Sequence, residues 1–420
     1  MNPILALGLV AAAGIAVTRL PRFSVKRLPH YDVIAAAGGP LVLLGVLLGP
    51  GLGVLDQAVL DALAPVTALA IGWLGAVFGS RFEWRFVRRI PLRVGGLLLL
   101  QAAAVFTVTA WVAWALLRWQ PALAAAWAPT LPAVLTLAAI ATVSGPGAVA
   151  LVAQAAGIRR SLSHAFGLAA ALDTAFGALG FTLALALYHP REPVGGVVLG
   201  WYTWTALALG SGLLVGMLFL SLSRLRPDRG DLGLSLLGVV LFGSGVGYAA
   251  DLSPFVVCAL GAMVIVNVSP AKRAVQELLI SWEHPIYAVF LITAGAILRL
   301  PTIWILLGVI VLAALRIFVR WAVVRFGRPL FRAHDLPPDV GFATVAQGGV
   351  ALALAINFYI TYDNGAAVVT TAVLGLALAQ AVAPALMRRA LRLAPVAPPP
   401  APPPAAPPAP VPSVVRSGVD

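Results

Sequence analysis

The sequence has little charge. Asp, Glu, Lys and Arg together make up 10% of its 420 residues, whereas 61% of the residues are hydrophobic. A soluble domain carries about 25% charged residues, and a water-soluble fold cannot bury this much apolar sequence. The mean hydropathy of +0.97 agrees with this. The composition therefore excludes an ordinary soluble domain and predicts a polytopic membrane protein surrounded by lipids.

Cysteine and catalytic motifs are also scarce. The one cysteine, Cys258, lies in an apolar run, so no intrachain disulfide can form, and no Cys/His spacing typical of a metal site occurs. The HExxH and GxSxG motifs are missing as well. The sequence therefore predicts neither an enzyme nor a cofactor or metal site.

The net charge of +13 raises nucleic acid as a partner. However, the basic residues form short clusters at the ends of apolar runs, which is typical of membrane orientation signals. The sequence therefore predicts no nucleic-acid binding.

Apolar runs of about 20 residues, the length needed to cross a bilayer, recur along the chain. Irregular backbone is not tolerated facing lipid, so these runs predict an all-α protein with about 13 transmembrane helices. The first run lacks a basic leading segment, which predicts a first span and not a cleaved signal. The predicted spans cover residues 3–20, 32–50, 58–80, 92–117, 130–156, 162–188, 194–222, 232–250, 253–270, 284–299, 302–326, 340–360 and 365–388.

The loops that follow odd-numbered spans carry 21 of the 28 basic residues, whereas the other loops carry three, Arg118, Arg191 and Arg299. Basic loops stay in the cytoplasm, so this split predicts an outside N-terminus and a cytoplasmic C-terminus in the inner (plasma) membrane of the cell. Residues 394–420 are proline-rich and predict a disordered tail, with a ligand for a proline-binding partner as the alternative.

One carboxylate lies near the middle of a predicted span. Asp173 is about eleven residues, or roughly 16 Å, from either end of span 6. An acidic group at this depth is costly, so it usually faces a wet cavity and has a function. Desolvation and a nearby cation together suit a group that exchanges a proton near neutral pH. A structural ion pair is the alternative.

Span 5 contains a helix-breaking sequence at its centre, Thr142-Val143-Ser144-Gly145-Pro146-Gly147. Proline removes a backbone donor and glycine weakens a helix, so a broken helix is predicted. Its freed carbonyls and the hydroxyls of Thr142 and Ser144 can coordinate a cation, and such breaks mark binding sites in secondary transporters. A simple kink is the alternative.

Span 12 contains a second interruption, Gln347-Gly348-Gly349. Spans 4–6 and spans 11–13 therefore each have a broken middle helix, and they run in opposite directions through the membrane. This is the inverted-repeat pattern of a transporter with a site at the midplane.

Two arginines lie in the interior of span 11, away from its ends. Arginine stays protonated, so Arg316, near the centre, can pair with Asp173 or offset the charge of helix ends. Arg320, one turn nearer the cytoplasm, is predicted to extend toward the interface.

Residues 1 to about 390 resemble the monovalent cation:proton antiporter superfamily, in its Kef-like and NapA-like bacterial branch. The segments that carry the resemblance are GPLVLLGVLLGPGLGVLD, ATVSGPGAV, AALDTAFGAL, CALGAMVIVN, VFLITAGAIL and VAQGGVALALA, in that order. The resemblance implies that Asp173 binds the ion and the proton, that Arg316 is the supporting basic residue, and that Thr142, Ser144 and Gln347 fall in crossing breaks.

The resemblance also implies a division of the chain. Residues 92–188 and 302–388 would form two core repeats that move against dimerisation and scaffold helices at 1–80 and linker and scaffold helices at 194–300. A homodimer is expected.

The sequence departs from the family at Leu172, where Asp, Asn or Gln often precedes the essential aspartate. With one titrating group, exchange of Na⁺ or K⁺ for a proton would be electroneutral. Two alternatives stay open. One is a sodium-coupled organic anion symporter of related fold, in which Arg316 meets the anion. The other is a non-transporting membrane scaffold with Asp173 and Arg316 as a buried pair.

Overall fold

The computed structural model describes residues 38–391, apart from 89, 156–157, 159, 191–198, 226–228, 334–335 and 363–364, together with Gly8 and Ala12. The described residues form helices and connecting segments without strands, which confirms the predicted fold class. Apart from Gly8 and Ala12, the first predicted span lies outside the described residues, as does the proline-rich tail.

The helices follow one another through the described chain in sixteen α-helical elements. They are α1 (Gly39–Val46), α2 (Gln57–Ala62), α3 (Ala64–Gly79), α4 (Trp84–Val87), α5 (Leu92–Trp119), α6 (Pro121–Ala126), α7 (Thr130–Thr142), α8 (Pro146–Ala155), α9 (Arg160–Leu187), α10 (Trp201–Leu225), α11 (Arg229–Ala249), α12 (Pro254–Val268), α13 (Lys272–Ile297), α14 (Trp304–Leu330), α15 (Gly349–Thr361) and α16 (Ala366–Ala390). A π-helical turn, Leu47–Gly51, continues α1, and a 3₁₀ helix, Val340–Thr344, precedes α15.

Within the described residues, each predicted span from the second to the thirteenth overlaps helix. Seven of the described segments are long and apolar enough to cross a membrane, with α7 and α8 counted together as one. Helix α13 makes an eighth if its two bent halves are counted as one span.

The tenth span differs from its prediction, because α13 begins at Lys272 and not near residue 284. The charged residues Glu277 and Glu283 hid this first half from a search for apolar runs. The two halves of α13 meet at an angle of 43° beside Pro285, where proline lacks the donor that would continue the helix.

The helices pack in two groups. One contains α1, α3 and α10–α13, and the other contains α5, α7–α9, α14, the 3₁₀ helix, α15 and α16. Small residues allow the closest approaches within the first group. A Cβ on Gly75 or Gly79 of α3 would collide with backbone carbonyls of α12 at Phe255 and Ala259. Small residues at such crossings let helix backbones touch within a membrane. The division into a core and a dimerisation unit stays a prediction.

Candidate functional site at the crossing of two broken helices

The first break separates α7 from α8. Helix α7 ends at Thr142, Val143 has extended backbone angles, and α8 begins at Pro146. Proline is favoured at the first position of a helix because its missing donor has no partner there. The Ser-Gly-Pro sequence therefore ends one helix and starts the next in mid-span, as predicted.

The second break separates the 3₁₀ helix from α15. The 3₁₀ helix ends at Thr344, Gly348 is extended, and α15 begins at Gly349. The first half of this span is thus a tight, short helix and not a full α-helical half. The sequence indicated the break but not this difference.

The two breaks cross in contact with each other. The backbone N–H of Gly145 donates to the carbonyl of Ala346 at 3.1 Å. A Cβ at Gly145 would lie 2.5 Å from the backbone nitrogen of Gly348, which leaves no room for a side chain. Glycine is therefore required at Gly145 for the two chains to approach this closely.

Asp173 lies on α9 directly beside this crossing, and its side chain is 0% exposed. Its Oδ2 accepts hydrogen bonds from the Ser144 hydroxyl at 3.0 Å and from Arg320 Nη1 at 2.6 Å. Its Oδ1 is buried and has no hydrogen-bond partner among the described residues. The sequence predicted a wet cavity here; in this conformation, Arg320 and the breaks enclose the carboxylate.

The position of the Arg320 side chain differs from the sequence prediction. Arg320 was predicted to extend toward the membrane interface, but its side chain is 0% exposed and forms the salt bridge with Asp173. It also donates to the Thr344 hydroxyl at 3.0 Å and to the Thr142 carbonyl at 2.6 Å. A nearby carboxylate and two further acceptors bind the two Nη atoms inside the protein, so these need not reach water, whereas the buried Nε has no hydrogen-bond partner among the described residues.

Arg316 contacts both breaks, whereas the salt bridge of Asp173 in the described structure is formed by Arg320. Its Nε donates to the Ala141 carbonyl at 2.7 Å, its Nη2 to Val143 at 3.0 Å and its Nη1 to Val345 at 2.5 Å. Of the two roles considered, the geometry matches the one that offsets helix ends. Arg316 therefore holds the freed carbonyls of two broken helices with one fixed cation.

The remaining predicted residues take part in the hydrogen-bond network around Asp173 to different extents. The Thr142 hydroxyl donates to the Ala138 carbonyl in its own helix, and only the Thr142 carbonyl joins the network. Gln347 donates to the Ile140 carbonyl at 2.9 Å, which links the breaks a second time. Leu172 is partly buried and packs against the apolar core, so it adds no oxygen to the site.

Sequence reasoning missed Thr344 and Thr174. The Thr344 hydroxyl accepts from Arg320. The Thr344 carbonyl lies 2.7 Å from the Ser144 hydroxyl, where it shares the single hydroxyl proton with Asp173 Oδ2. Thr174 donates to the Ser144 carbonyl at 2.5 Å. A signal for Thr344 exists, because the first break reads ATVSGPG from residue 141 and the second reads ATVAQGG from residue 343. Aligning these segments pairs Thr344 with Thr142.

A cavity of about 280 Å³ reaches the crossing from one side. The starts of α8 and α15 form one wall, at Gly145–Ala148 and Gly348–Val350. Residues of α3 and α13 form the opposite wall. The cavity therefore lies between the two helix groups and ends one residue from Ser144, whose hydroxyl contacts Asp173.

No protein-family model matches the sequence, and no curated protein matches it. Two solved structures are similar across nearly the whole chain, both of the sodium proton antiporter MjNhaP1 from Methanocaldococcus jannaschii. The structure at pH 8 has a TM-score of 0.67 and 15% identity, covering 93% of this chain and 99% of that one. An electron-microscopy structure has a TM-score of 0.61 and 15% identity, covering 94% and 99%. The chain therefore has the fold of this antiporter, which is the fold that the resemblance implied; the superfamily and its Kef-like and NapA-like branch stay predictions.

Proposed function

We propose that the protein is a secondary active transporter that exchanges Na⁺ or K⁺ for protons by alternating access at Asp173. The observation that carries the proposal is the free Oδ1 of Asp173, buried beside two crossing broken helices. A buried carboxylate oxygen without a partner is costly, so a site for a proton or a cation gives it a function. The fold shared with a sodium proton antiporter supports the same choice.

The charges around Asp173 suit one-for-one exchange. Arginine stays protonated at physiological pH, so the charges of Arg316 and Arg320 stay constant through a cycle. The carboxylate then binds either a proton or a monovalent cation, and both add the same charge. Exchange at a single carboxylate would therefore be electroneutral, and Leu172 supplies no second titrating group.

The oxygen atoms near Asp173 favour a monovalent cation over a more demanding ion. The Ser144 hydroxyl lies 3.0 Å from the carboxylate and 2.7 Å from the Thr344 carbonyl. Within the described chain, no group of three or more His, Cys, Asp or Glu side chains could hold a metal ion. One carboxylate with neutral oxygens would hold Na⁺ or K⁺ weakly enough to release it.

The organic anion symporter is less well supported. That alternative needs Arg316 to meet the anion, but all three of its nitrogens already donate to backbone carbonyls. An anion would have to displace contacts that hold both breaks together.

The non-transporting scaffold remains the second candidate, because the Asp173–Arg320 pair is fully enclosed. A purely structural ion pair would be enclosed in the same way. Replacing both residues with apolar ones of similar volume separates the two functions, since such replacements of a buried pair are often neutral for stability. A scaffold would tolerate the double change without loss of phenotype, whereas a transporter would lose exchange.

The architecture in this proposal follows the two helix groups. The group containing α5, α7–α9 and α14–α16 would carry the site across the membrane against α1, α3 and α10–α13. The second group would form a homodimer in the plasma membrane. The cavity would open to the cytoplasm, because it lies beside Arg81, in one of the basic loops.

The test is exchange in proteoliposomes with Na⁺, K⁺ and Li⁺, with and without a clamped voltage. We expect the wild-type protein to exchange one of these cations for protons at a rate that voltage does not change. Low pH should slow cation transport, because protons compete for the same carboxylate. Asp173→Asn should reduce exchange to the level of empty vesicles, and the exposed Asp61→Asn should leave it unchanged. Exchange retained by the Asp173→Asn variant would reject the proposal.

A further inference from the structure

The cavity between the two helix groups has a wall that should repel cations. Helices α8 and α15 both begin at this wall, at Pro146 and Gly349. The first turn of a helix carries a partial positive charge from its free N–H groups. Two helix starts at one wall would lower the concentration of any cation approaching Asp173.

Arg81 adds a full positive charge to this cavity. It follows the end of α3, and its Nη1 would lie 3.8 Å from a Cβ placed on Gly147, at the start of α8. The guanidinium therefore lies beside one of the two positive helix starts. The charges described so far would favour an anion in the cavity.

Glu283 is the opposing charge. It lies at the bend of α13 and carries the one carboxylate among the described residues that line the cavity. It forms no salt bridge or hydrogen bond with the described residues, and its side chain is partly buried. Arg81 is exposed, so water and salt screen its charge more strongly than that of Glu283.

Tyr287 connects this carboxylate to the second break. It lies one helical turn after Glu283 on α13, and a Cβ on Gly349 would lie 2.9 Å from the Tyr287 hydroxyl. The wall that carries Glu283 thus touches the start of α15. A cation near Glu283 is inside the cavity that ends at the crossing.

We propose that Glu283 concentrates monovalent cations in this cavity and so sets the affinity of the transporter for cations on that side of the membrane. The inference rests on the proposed function, because it concerns the path to Asp173. Glu283 is a positioning residue: it acts through the electrostatic potential of the cavity and does not bind the ion during translocation. A carboxylate in a cleft raises the local concentration of cations there, and in this cavity Glu283 offsets the positive charge of Arg81 and of the two helix starts.

The experiment measures the KM for the cation on each side of oriented vesicles, using whichever of Na⁺, K⁺ or Li⁺ is exchanged fastest. At low ionic strength, Glu283→Gln should raise the KM roughly three- to tenfold on the cavity side alone, with little change in maximal rate. Arg81→Gln should lower the KM on the same side. Glu283→Asp, which keeps the charge, should restore the wild-type value.

Two further measurements separate this effect from a structural one. Raising the ionic strength with choline chloride should shrink the difference between Glu283→Gln and wild type, because salt screens charge. Glu277→Gln is the matched control, since it lies on the same helix outside this cavity. The inference would be wrong if Glu283→Gln and Glu277→Gln had the same KM, or if salt did not change the difference in KM between Glu283→Gln and wild type. In either case, exchange by the wild-type protein would still support the proposed function. A wild-type protein without exchange would overturn both.

Discussion

The two breaks share a sequence pattern and a pair of arginines. Residues 141–143 and residues 343–345 both read Ala-Thr-Val. The carbonyls of Val143 and Val345 both accept from Arg316, and the two threonines both meet Arg320. Equivalent positions of the two breaks therefore meet the same side chains, which is what the predicted inverted repeats around a midplane site would produce.

The breaks differ in the side chains that follow. The first has Ser144, which meets Asp173, where the second has Ala346; the first has Pro146 where the second has Gly348. At the threonine, the first break offers Arg320 a carbonyl and the second offers a hydroxyl. Arg316 therefore binds equivalent valine carbonyls of the two breaks, although Val143 is extended and Val345 is helical. The side chains that follow make the two halves chemically unequal.

The largest expected effect comes from replacing Arg316, which donates hydrogen bonds to both breaks. Arg316→Met would leave the buried carbonyls of Ala141, Val143 and Val345 without their donor. Each carbonyl without a hydrogen bond costs about 1–3 kcal/mol. Loss of the repulsion between Arg316 and Arg320 offsets part of this cost. We expect a loss of about 3 kcal/mol, seen as a large fall in the melting temperature of the detergent-solubilised protein.

Two further variants sharpen this prediction. Arg316→Lys should be intermediate, because an ammonium group keeps the charge but cannot span three carbonyls as a guanidinium does. Arg325→Met is the control on the same helix, since its side chain is 45% exposed and 3.6 Å from Asp339. If Arg316→Met melted no lower than Arg325→Met, the shared contact would not hold the breaks together.

The second prediction tests how closely the breaks must approach. Gly145→Ala places a methyl group 2.5 Å from backbone at Gly348, and no side-chain rotation can relieve that contact. Overpacking of this kind costs about 1–3 kcal/mol, and it should also weaken the Gly145–Ala346 hydrogen bond. Gly147→Ala is the matched control, because its nearest neighbour is Arg81 Nη1 at 3.8 Å. If Gly145→Ala and Gly147→Ala melted at the same temperature, the crossing would have room for a methyl group at Gly145.

The sequence was informative where one residue type determines local backbone. Pro146 and the surrounding glycines predicted the first break, Gly348 and Gly349 predicted the second, and long apolar runs predicted the helices around them. Asp173 was identifiable because a carboxylate in the middle of a span is energetically costly and usually has a function. Each of these inferences depends on neighbours in the chain alone.

The partners of the arginines could not be predicted in this way. Arg316 and Arg320 lie one turn apart on α14, and their depth in the span suggested that the deeper one would meet Asp173. The structure pairs Asp173 with Arg320, because the rotation of α14 directs Arg316 toward the carbonyls of both breaks. That rotation depends on contacts between distant parts of the chain, which no local pattern records.

The smallest expected effect distinguishes the two threonines. The Thr344 hydroxyl accepts from Arg320 Nη1 at 3.0 Å and from Gln101 at 3.5 Å. The Thr142 hydroxyl donates only to the Ala138 carbonyl, at 2.9 Å. Thr344→Val would leave a buried N–H of Arg320 without this acceptor, at about 1–2 kcal/mol, whereas Thr142→Val should cost less than about 0.5 kcal/mol because its bond is local.

Transport separates the threonines more directly than stability does. Without the Thr344 hydroxyl, Arg320 Nη1 would turn wholly to Asp173, and a cation would compete less well for the carboxylate. We therefore expect Thr344→Val to raise the KM for the exchanged cation several-fold and Thr142→Val to leave it near wild type. The sequence alone suggested the Thr142 hydroxyl as a cation ligand. If Thr142→Val instead raised the KM more than Thr344→Val, the first break would supply the ligand, and its threonine would have to turn from Ala138 toward the ion during transport.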